Sequence, residues 1–354
     1  MASAAAGRDT TRSAPPLVTV LITAHDRTDE LRATLRALRD QTYPALEVLV
    51  VDDASSESLE PVVRAEWPSA QFTRNTRNRG LIASRSEAMA RARGEYIVTL
   101  DDDSHPVAPD AIRRAVDRMS REPELGVLAF RVHDGIEPPD PALPAGAERY
   151  TYAFIGCGNM IRTAVARALG GYRDDFEYYY EETEYGLRVI GLDARILYFP
   201  EVVVHHRLSS VGRSEARIVA YSFRNALWTA FLRLPLRQAI VEVPWKAAVG
   251  GVELLRKGDP RWLAWAVGGT LRGLPRILRD RAPISDDAAR TYDALRFRTI
   301  ATAPALLAAE PPTWRERYAW FRAVWMRRRR GRAFWDRRPG GIGVGVWTTR
   351  ERER

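Results

Sequence analysis

The chain has 354 residues, 45% of them hydrophobic, with a formal net charge of +9. That composition excludes disorder throughout and allows one large α/β domain plus an appendage, while no run reaches the roughly 18 apolar residues a membrane-spanning helix needs. The single cysteine, Cys157, excludes an intrachain disulfide and suits a reducing compartment, by default the cytoplasm, and the positive charge asks for an acidic partner: nucleic acid, anionic lipid or a diphosphate-bearing substrate.

Residues 1–16 are rich in Ala, Ser and Thr without the apolar core of a signal peptide and read as a flexible leader. Leu17–Ile22 is an apolar run, followed by the polar turn Thr23–Thr28 and by Leu31, Leu35 and Leu38 at helical spacing. This predicts strand, loop and helix, with Thr28 as N-cap, Asp29 and Glu30 in the first turn and a stop at Tyr43-Pro44. Glu47–Val51 is a second apolar run ending in Asp52-Asp53 and a loop of small polar residues. Two such units argue for a doubly wound, mostly parallel sheet whose binding cleft lies along the carboxyl ends of its strands.

A third strand is expected around Gln71-Phe72, then a loop of basic and amide residues from Arg74 to Gly80 that either binds phosphate or is simply solvated. A helix from about Ser84 to Arg93, closed by Gly94, leads into Tyr96–Leu100, which ends in three carboxylates, Asp101, Asp102 and Asp103. On an extended chain, Asp101 and Asp103 point one way and Asp102 the other. A hard divalent cation, Mg²⁺ or Mn²⁺, would offset the three charges; a solvated acidic turn capping the helix from Pro109 reads equally from the residues alone. That helix, to about Arg121, and the strand Val127–Phe130 follow, then an aperiodic excursion between His133 and Glu148.

Val18–Thr23, Gln41–Pro44, Glu47–Ser55, Asn78-Arg79-Gly80 and Gly94–Ile97 with the acid triplet fall in an order that resembles the family-2 glycosyltransferases of the GT-A fold. Phe154–Arg162, Leu169–Tyr172 and Tyr180–Arg188 resemble that family's acceptor-side segments. The resemblance implies an α/β fold, Rossmann-like, with a mostly parallel sheet flanked by helices, over residues 17–212, with a nucleotide-binding half to 105 and an acceptor half from 106. It implies a metal-dependent, inverting transfer of a sugar from a nucleoside diphosphate sugar, UDP- or dTDP-linked, to a hydroxyl of a saccharide, lipid-linked or natural-product acceptor. The alternative kept open is a non-catalytic scaffold that binds sugar nucleotide or membrane.

The same resemblance implies roles. Glu182 is the base, with Glu181 orienting or solvating it and Glu184 a turn-mate, although acids at a helix start also simply answer its dipole. Asp103 binds the metal, and Asp101 and Asp102 meet the ribose or complete the metal shell. His206 is a metal or phosphate ligand with His205 its neighbour. Thr23, His25 and Asp53 hold the base, His25 standing where tyrosine is usual, and Arg77 and Gly80 join the nucleotide site. Gly156, Cys157 and Gly158 form the acceptor side, where backbone approaches a ligand closely or simply makes a structural turn.

Beyond Arg213 the chain reads as a helical, basic and aromatic extension to 338, followed by a glycine-rich tail. Ala239–Leu255 and Trp262–Leu278 interleave apolar residues with Arg and Lys, which fits an interfacial helix, packing on the catalytic domain, or contact with a second copy in a homo-oligomer. Arg327–Arg332, amid Trp320, Trp325 and Trp335, is a dense basic block; with no nucleic-acid-binding signature beside it, an anionic membrane surface is the expected partner and nucleic acid is not. A cytoplasmic location, peripheral on the inner face of the membrane, follows as an expectation.

Overall fold

The structure is a computed structural model that describes residues 14–139, 146–207, 214–256 and 260–319. The Arg327–Arg332 block with its tryptophans, the tail, and residues 1–13 of the expected leader lie outside the described residues.

The first half runs β1 (Val18–Ala24), α1 (Thr28–Arg39), β2 (Leu46–Asp52), α2 (Glu60–Glu66), β3 (Gln71–Arg74), α3 (Leu81–Arg91) and β4 (Tyr96–Asp101). These strands are all parallel, in the order β3-β2-β1-β4. Every residue of β1 is buried, as expected of a central strand covered on both faces. The register sets Thr23 beside Val51 and Asp101, and Ala24 beside Asp52, so the polar strand ends meet along one edge.

Three local expectations are corrected. Thr28 is the first helical residue of α1, not its N-cap, which is Arg27, and α1 stops at Arg39, before Tyr43-Pro44. The helix α3 starts at Leu81 and is capped by Ala92, so Gly94 does not close it. Gly94 is glycine because its backbone crosses β1: a Cβ there would lie 2.6 Å from the Thr19 nitrogen.

The second half runs β5 (Ser104–Pro106), α4 (Ala111–Arg121), β6 (Leu125–Asp134), β7 (Arg149–Thr151), β8 (Asn159–Arg162), α5 (Thr163–Leu169), α6 (Glu181–Gly191) and β9 (Arg195–His206). β8 inserts antiparallel between β4 and β6, and β6 pairs parallel with β9. β9 is continuous through Pro200, with a register shift opposite Phe130/Arg131. Its outer edge is shared, β7 taking Ile196–Tyr198 and β5 taking Val204–His206.

The helical extension runs α7 (Glu215–Arg233), α8 (Leu236–Arg256), α9 (Pro260–Arg279), α10 (Asp286–Phe297) and α11 (Ala303–Leu307). Its apolar residues join the catalytic half's core: Trp228 and Ile277 pack in one cluster with Phe176 and Tyr185, and Tyr292 meets Tyr152 edge-on at 5.2 Å. No helix among the described residues is long and apolar enough to cross a membrane.

Candidate active site

A cleft of about 640 Å³ opens along the carboxyl ends of β1, β2 and β4 and is closed on the far side by α6 and the loop before it. Its lining includes Thr23, His25, Asp53, Gly80, Asp101, Asp102, Gly156, Cys157, Glu181, Glu182 and His206. Arg77 is exposed and is not among the lining residues. Gly158 lies behind the wall, where a Cβ would be 2.5 Å from Val132 Cγ2, and Gly156 is pressed by Arg85 Nη1 and Glu182 Oε1, at 2.4 and 2.7 Å from its would-be Cβ. Both glycines are therefore required by protein packing, and Gly156 also lines the cleft.

The acid triplet is arranged differently from a continuous strand. β4 ends at Asp101, and Asp102 and Asp103 sit in the turn before β5. Their carboxylates do not diverge: Arg27 Nη1 donates to Asp102 Oδ1 at 3.0 Å and to Asp103 Oδ2 at 3.3 Å. Asp101 turns to Arg85 Nη2 at 2.5 Å. The chain thus places its own guanidinium against each part of the triplet. Burial pushes the Asp102 carboxyl up to about 7, with Arg27 pulling the other way.

At the end of β9 the two histidines part. His205 stacks near His105 and His133 and bonds the Gly135 carbonyl. His206 Nε2 is 3.2 Å from Asp103 Oδ1, and its Nδ1 is 2.8 Å from Asp134 Oδ1, so Asp134 orients the ring toward the triplet. Burial works against the imidazolium, but Cys157, Asp103 and Asp134 outweigh it and hold His206 well above its ordinary value. Donor atoms of Asp101, Cys157 and His206 lie within 4.8 Å of one another. Carboxylate oxygens with an imidazole fit a divalent cation such as Mg²⁺ or Mn²⁺, and the Cys157 thiol adds a softer donor. Burial raises that thiol, so it is not an activated nucleophile.

On the nucleotide side, Asp53 accepts from the backbone N–H groups of Arg79 at 2.9 Å and Gly80 at 2.8 Å and from Asn75 Nδ2 at 2.7 Å. It fixes the loop from 75 to 80 against the strand edge. His25 Nδ1 sits 2.9 Å from the Asp53 carbonyl. The buried Thr23 Oγ1 has no hydrogen-bond partner in the protein, which makes it the wall's unspent donor and acceptor.

Opposite stands the glutamate pair. Glu181 and Glu182 open α6 and are both buried, 4% and 8% exposed, close to the fully buried Arg85. Glu182 Oε1 accepts from the Gly156 N–H at 3.0 Å. Burial raises both carboxyls, and Arg85 only partly offsets this. Glu184 is different: Arg233 Nε at 2.7 Å and Arg188 Nη2 at 2.9 Å bind its two oxygens, so it fastens α6 to α7.

The loop before α6 is strained. Glu177, Tyr179 and Tyr180 have φ of 60°, 59° and 76°, left-handed values that cost side-chain-bearing residues about 1–2 kcal/mol each. Helix α7 holds it: Asn225 Nδ2 donates to the carbonyls of Phe176, Tyr178 and Tyr179 at 2.9, 3.0 and 2.7 Å, and Arg224 Nη2 to Phe176 at 2.8 Å. Tyr178, Tyr179 and, from α7, Arg217 then line the cleft mouth.

Sequence reasoning missed Arg27, Arg85, Asp134 and Asn225. Asp134 carried a signal, an acid closing a strand as Asp52 and Asp101 do, and Arg85 was a lone cation on the apolar face formed by Ile82 and Met89. Arg27 carried none, because its partner lies 75 residues away, while Asn225 sits in Tyr221–Trp228, which resembles a segment that follows the catalytic domain in bacterial relatives but shows nothing of partners 46 residues away.

A mixed, mostly parallel sheet flanked by helices, with a cleft along its strand ends, is the GT-A fold, and solved structures agree. The mannosyltransferase PcManGT from Pyrobaculum calidifontis, in complex with GDP-Man and Mn²⁺, superposes with a TM-score of 0.50 at 20% identity, over 76% of this chain and 85% of its own. S. aureus TarS 1-349 does so with a TM-score of 0.55 at 14% identity, over 79% and 87%. At these identities the likeness carries the fold. Residues 19–172 match Glycosyl transferase family 2, so this segment of the chain is similar to that family.

Its relatives include EpsH of Bacillus subtilis, 24% identical over 229 residues, 62% of this chain and 60% of EpsH. The succinoglycan biosynthesis protein ExoO of Rhizobium meliloti is 33% identical over 104 residues, 29% of this chain and 30% of its own. The UDP-Glc:alpha-D-GlcNAc-diphosphoundecaprenol beta-1,3-glucosyltransferase WfaP of Escherichia coli is 29% identical over 90 residues, 25% and 36%. The chain thus spans less than two thirds of each of these relatives.

Proposed function

We propose that this chain transfers a sugar, with inversion, from a uridine or thymidine diphosphate sugar to a hydroxyl of a saccharide or lipid-linked acceptor, using a divalent metal. The observation that carries this reading is the convergence, in one cleft, of Asp101, Asp102 and His206 on one wall, with Asp103 buried behind them, and the buried pair Glu181 and Glu182 on the other.

Thr23 and Asp53 face the base, Asp53 with lone pairs beyond its three loop bonds for a ring N–H, and His25 covers the ring. Asp102 meets the ribose, and Asp101 and His206, with Asp103 beside the imidazole, would hold the ion. When bound, a divalent ion neutralises charge on the departing diphosphate as a Lewis acid. Arg27 is near enough to Asp102 and Asp103 to add its own charge to the same oxygens. Glu182 takes the proton of the acceptor hydroxyl as that oxygen attacks the anomeric carbon, and the bond to the diphosphate breaks on the opposite face. The raised Glu182 carboxyl suits that work, since a base nearer neutrality accepts a hydroxyl proton more readily. A lipid-linked acceptor is supported by the acceptor named in WfaP.

Thermal unfolding with UDP, dTDP or GDP, each with Mn²⁺, Mg²⁺ or a chelator, tests the donor side. A ligand present at about 100 times its Kd adds roughly 2.7 kcal/mol. UDP or dTDP should stabilise the protein with metal and lose that effect in chelator. No shift from any nucleotide with either metal would overturn the donor-site assignment.

A further inference from the structure

Helices α8 and α9 both pack on α7, and each already has an inward face. Gly250 of α8 lies against the Phe223 ring and Gly273 of α9 against Trp228, so neither helix can draw closer to bury more of itself. Yet their outward faces are apolar as well. Leu236, Ile240, Val241 and Leu255 of α8 and Leu271 and Leu278 of α9 are 67, 65, 65, 67, 63 and 49% exposed. These two helices carry eight of the fourteen exposed large hydrophobic residues among those described. A surface cluster of this kind on an otherwise polar molecule marks a docking face.

The charge around it has one sign. Arg237, Arg256, Arg261, Arg272, Arg276 and Arg279 are exposed on the same two helices. Their acids among the described residues, Glu242 and Glu253, are buried, and Glu242 pairs inward with Arg296. Acids from outside the two helices meet part of the fringe, Asp286 at Arg237, Asp175 at Arg276, and Asp280 near Arg276 and Arg279. A second copy of the face would set arginine against arginine. Anionic headgroups complement it, and apolar side chains between arginines are what an interfacial helix presents to lipid.

The face also communicates with the cleft. Tyr178 at the cleft mouth meets Tyr221 of α7 at 5.8 Å, and Tyr221 meets Trp265 at 4.4 Å and Trp262 at 6.5 Å, both in the first turns of α9. Arg217 and Arg224 lie over the same rings. An aromatic and cationic path thus joins the catalytic mouth to one end of the apolar face.

We infer that the outward face of α8 and α9 docks on an anionic lipid bilayer and holds the cleft beside the membrane surface. The docking rests on this face alone, whatever acceptor the cleft takes.

The test is flotation of the full chain with phosphatidylcholine vesicles and with vesicles in which about a third of the lipid is phosphatidylglycerol. The chain should float with the anionic vesicles, not with the neutral ones, and should be released by salt. Ile240→Ser with Leu271→Ser, and separately Arg272→Glu with Arg279→Glu, alter only exposed side chains; each should lower binding roughly 10-fold or more while the thermal midpoint is kept. Replacing the arginines of Arg327–Arg332 with serine should leave binding that the helix variants still remove. The inference is overturned if the helix variants bind like the parent, if the serine-substituted block alone abolishes binding, or if the parent is a dimer that Ile240→Ser with Leu271→Ser splits while no vesicle is bound. Because the readout is lipid binding, it can fail while nucleotide stabilisation persists, and the reverse.

Discussion

The side-chain amide of Asn225, on α7, donates to the main-chain carbonyl of Tyr179 at 2.7 Å, tying a residue with φ of 59° to a helix outside the family-matched segment. The same amide also holds Phe176 and Tyr178. Hydrogen bonds of this kind contribute about 1 kcal/mol each, which is comparable to the strain they oppose. Asn225→Leu should therefore lower stability by about 2–3 kcal/mol and kcat by about 10-fold or more, since Glu181 follows the loop directly. Asn225→Asp, which keeps the size but cannot donate, should do the same. Denaturant unfolding and steady-state kinetics would check this, and an unchanged kcat in both variants would separate the clamp from turnover.

Glu182→Gln should retain nucleotide stabilisation and lose about 10²–10⁴ in kcat, the range of a general base. Glu184→Gln should instead lower stability, because both its arginines would be left short of a buried carboxylate. If Glu182→Gln turned over near the parent rate, the base would have to be reassigned.

The glutamate pair also sets opposite pH trends for activity and stability. Both carboxyls are raised by burial, so in the folded protein they hold protons above the ordinary range near 4.5. Their contribution to stability is fully present below that value and is lost as pH rises through the folded pKa values. Activity needs the ionised base and should rise over the same window. Paired kcat/KM and unfolding profiles against pH should thus cross, and Glu181→Gln should shrink the stability change.

Two glycine substitutions should fail differently. In Gly94→Ala the new Cβ meets backbone of β1, at 2.6 Å from a nitrogen and 2.8 Å from the Leu17 carbonyl oxygen, and should cost about 1–3 kcal/mol in stability. In Gly156→Ala it meets side chains, Arg85 and Glu182, and should lower kcat about 10-fold or more through their displacement. Melting curves and kinetics on both variants would distinguish the two effects.

The parallel half of the sheet was readable because each strand is a short apolar run closed by acids, as in Glu47–Asp53 and Tyr96–Asp103. Element ends were less so: Thr28 and Gly94 look like a cap and a stop by type, yet tertiary packing gives them other work. The alternation rule failed at Asp102 because the strand had already ended. The glutamate pair and both histidines were visible as strand-end and helix-start groups. Their controlling partners, Arg85, Asp134 and Arg27, were not all visible, since a buried cation acquires its meaning from carboxylates brought by other elements. The clamp by Asn225 was invisible for the same reason, as it depends on backbone carbonyls, which no side-chain pattern records.

That clamp bears on how this chain and its relatives can be recombined. A chimera that keeps the chain through Tyr180 and imports α7 from a relative also imports, or loses, the hydrogen bonds that shape the loop from Glu177 to Tyr180. Inheritance of the cleft mouth is then split between two stretches of gene, and recombination between them tests the fit of a helix to a loop as much as the choice of a sugar.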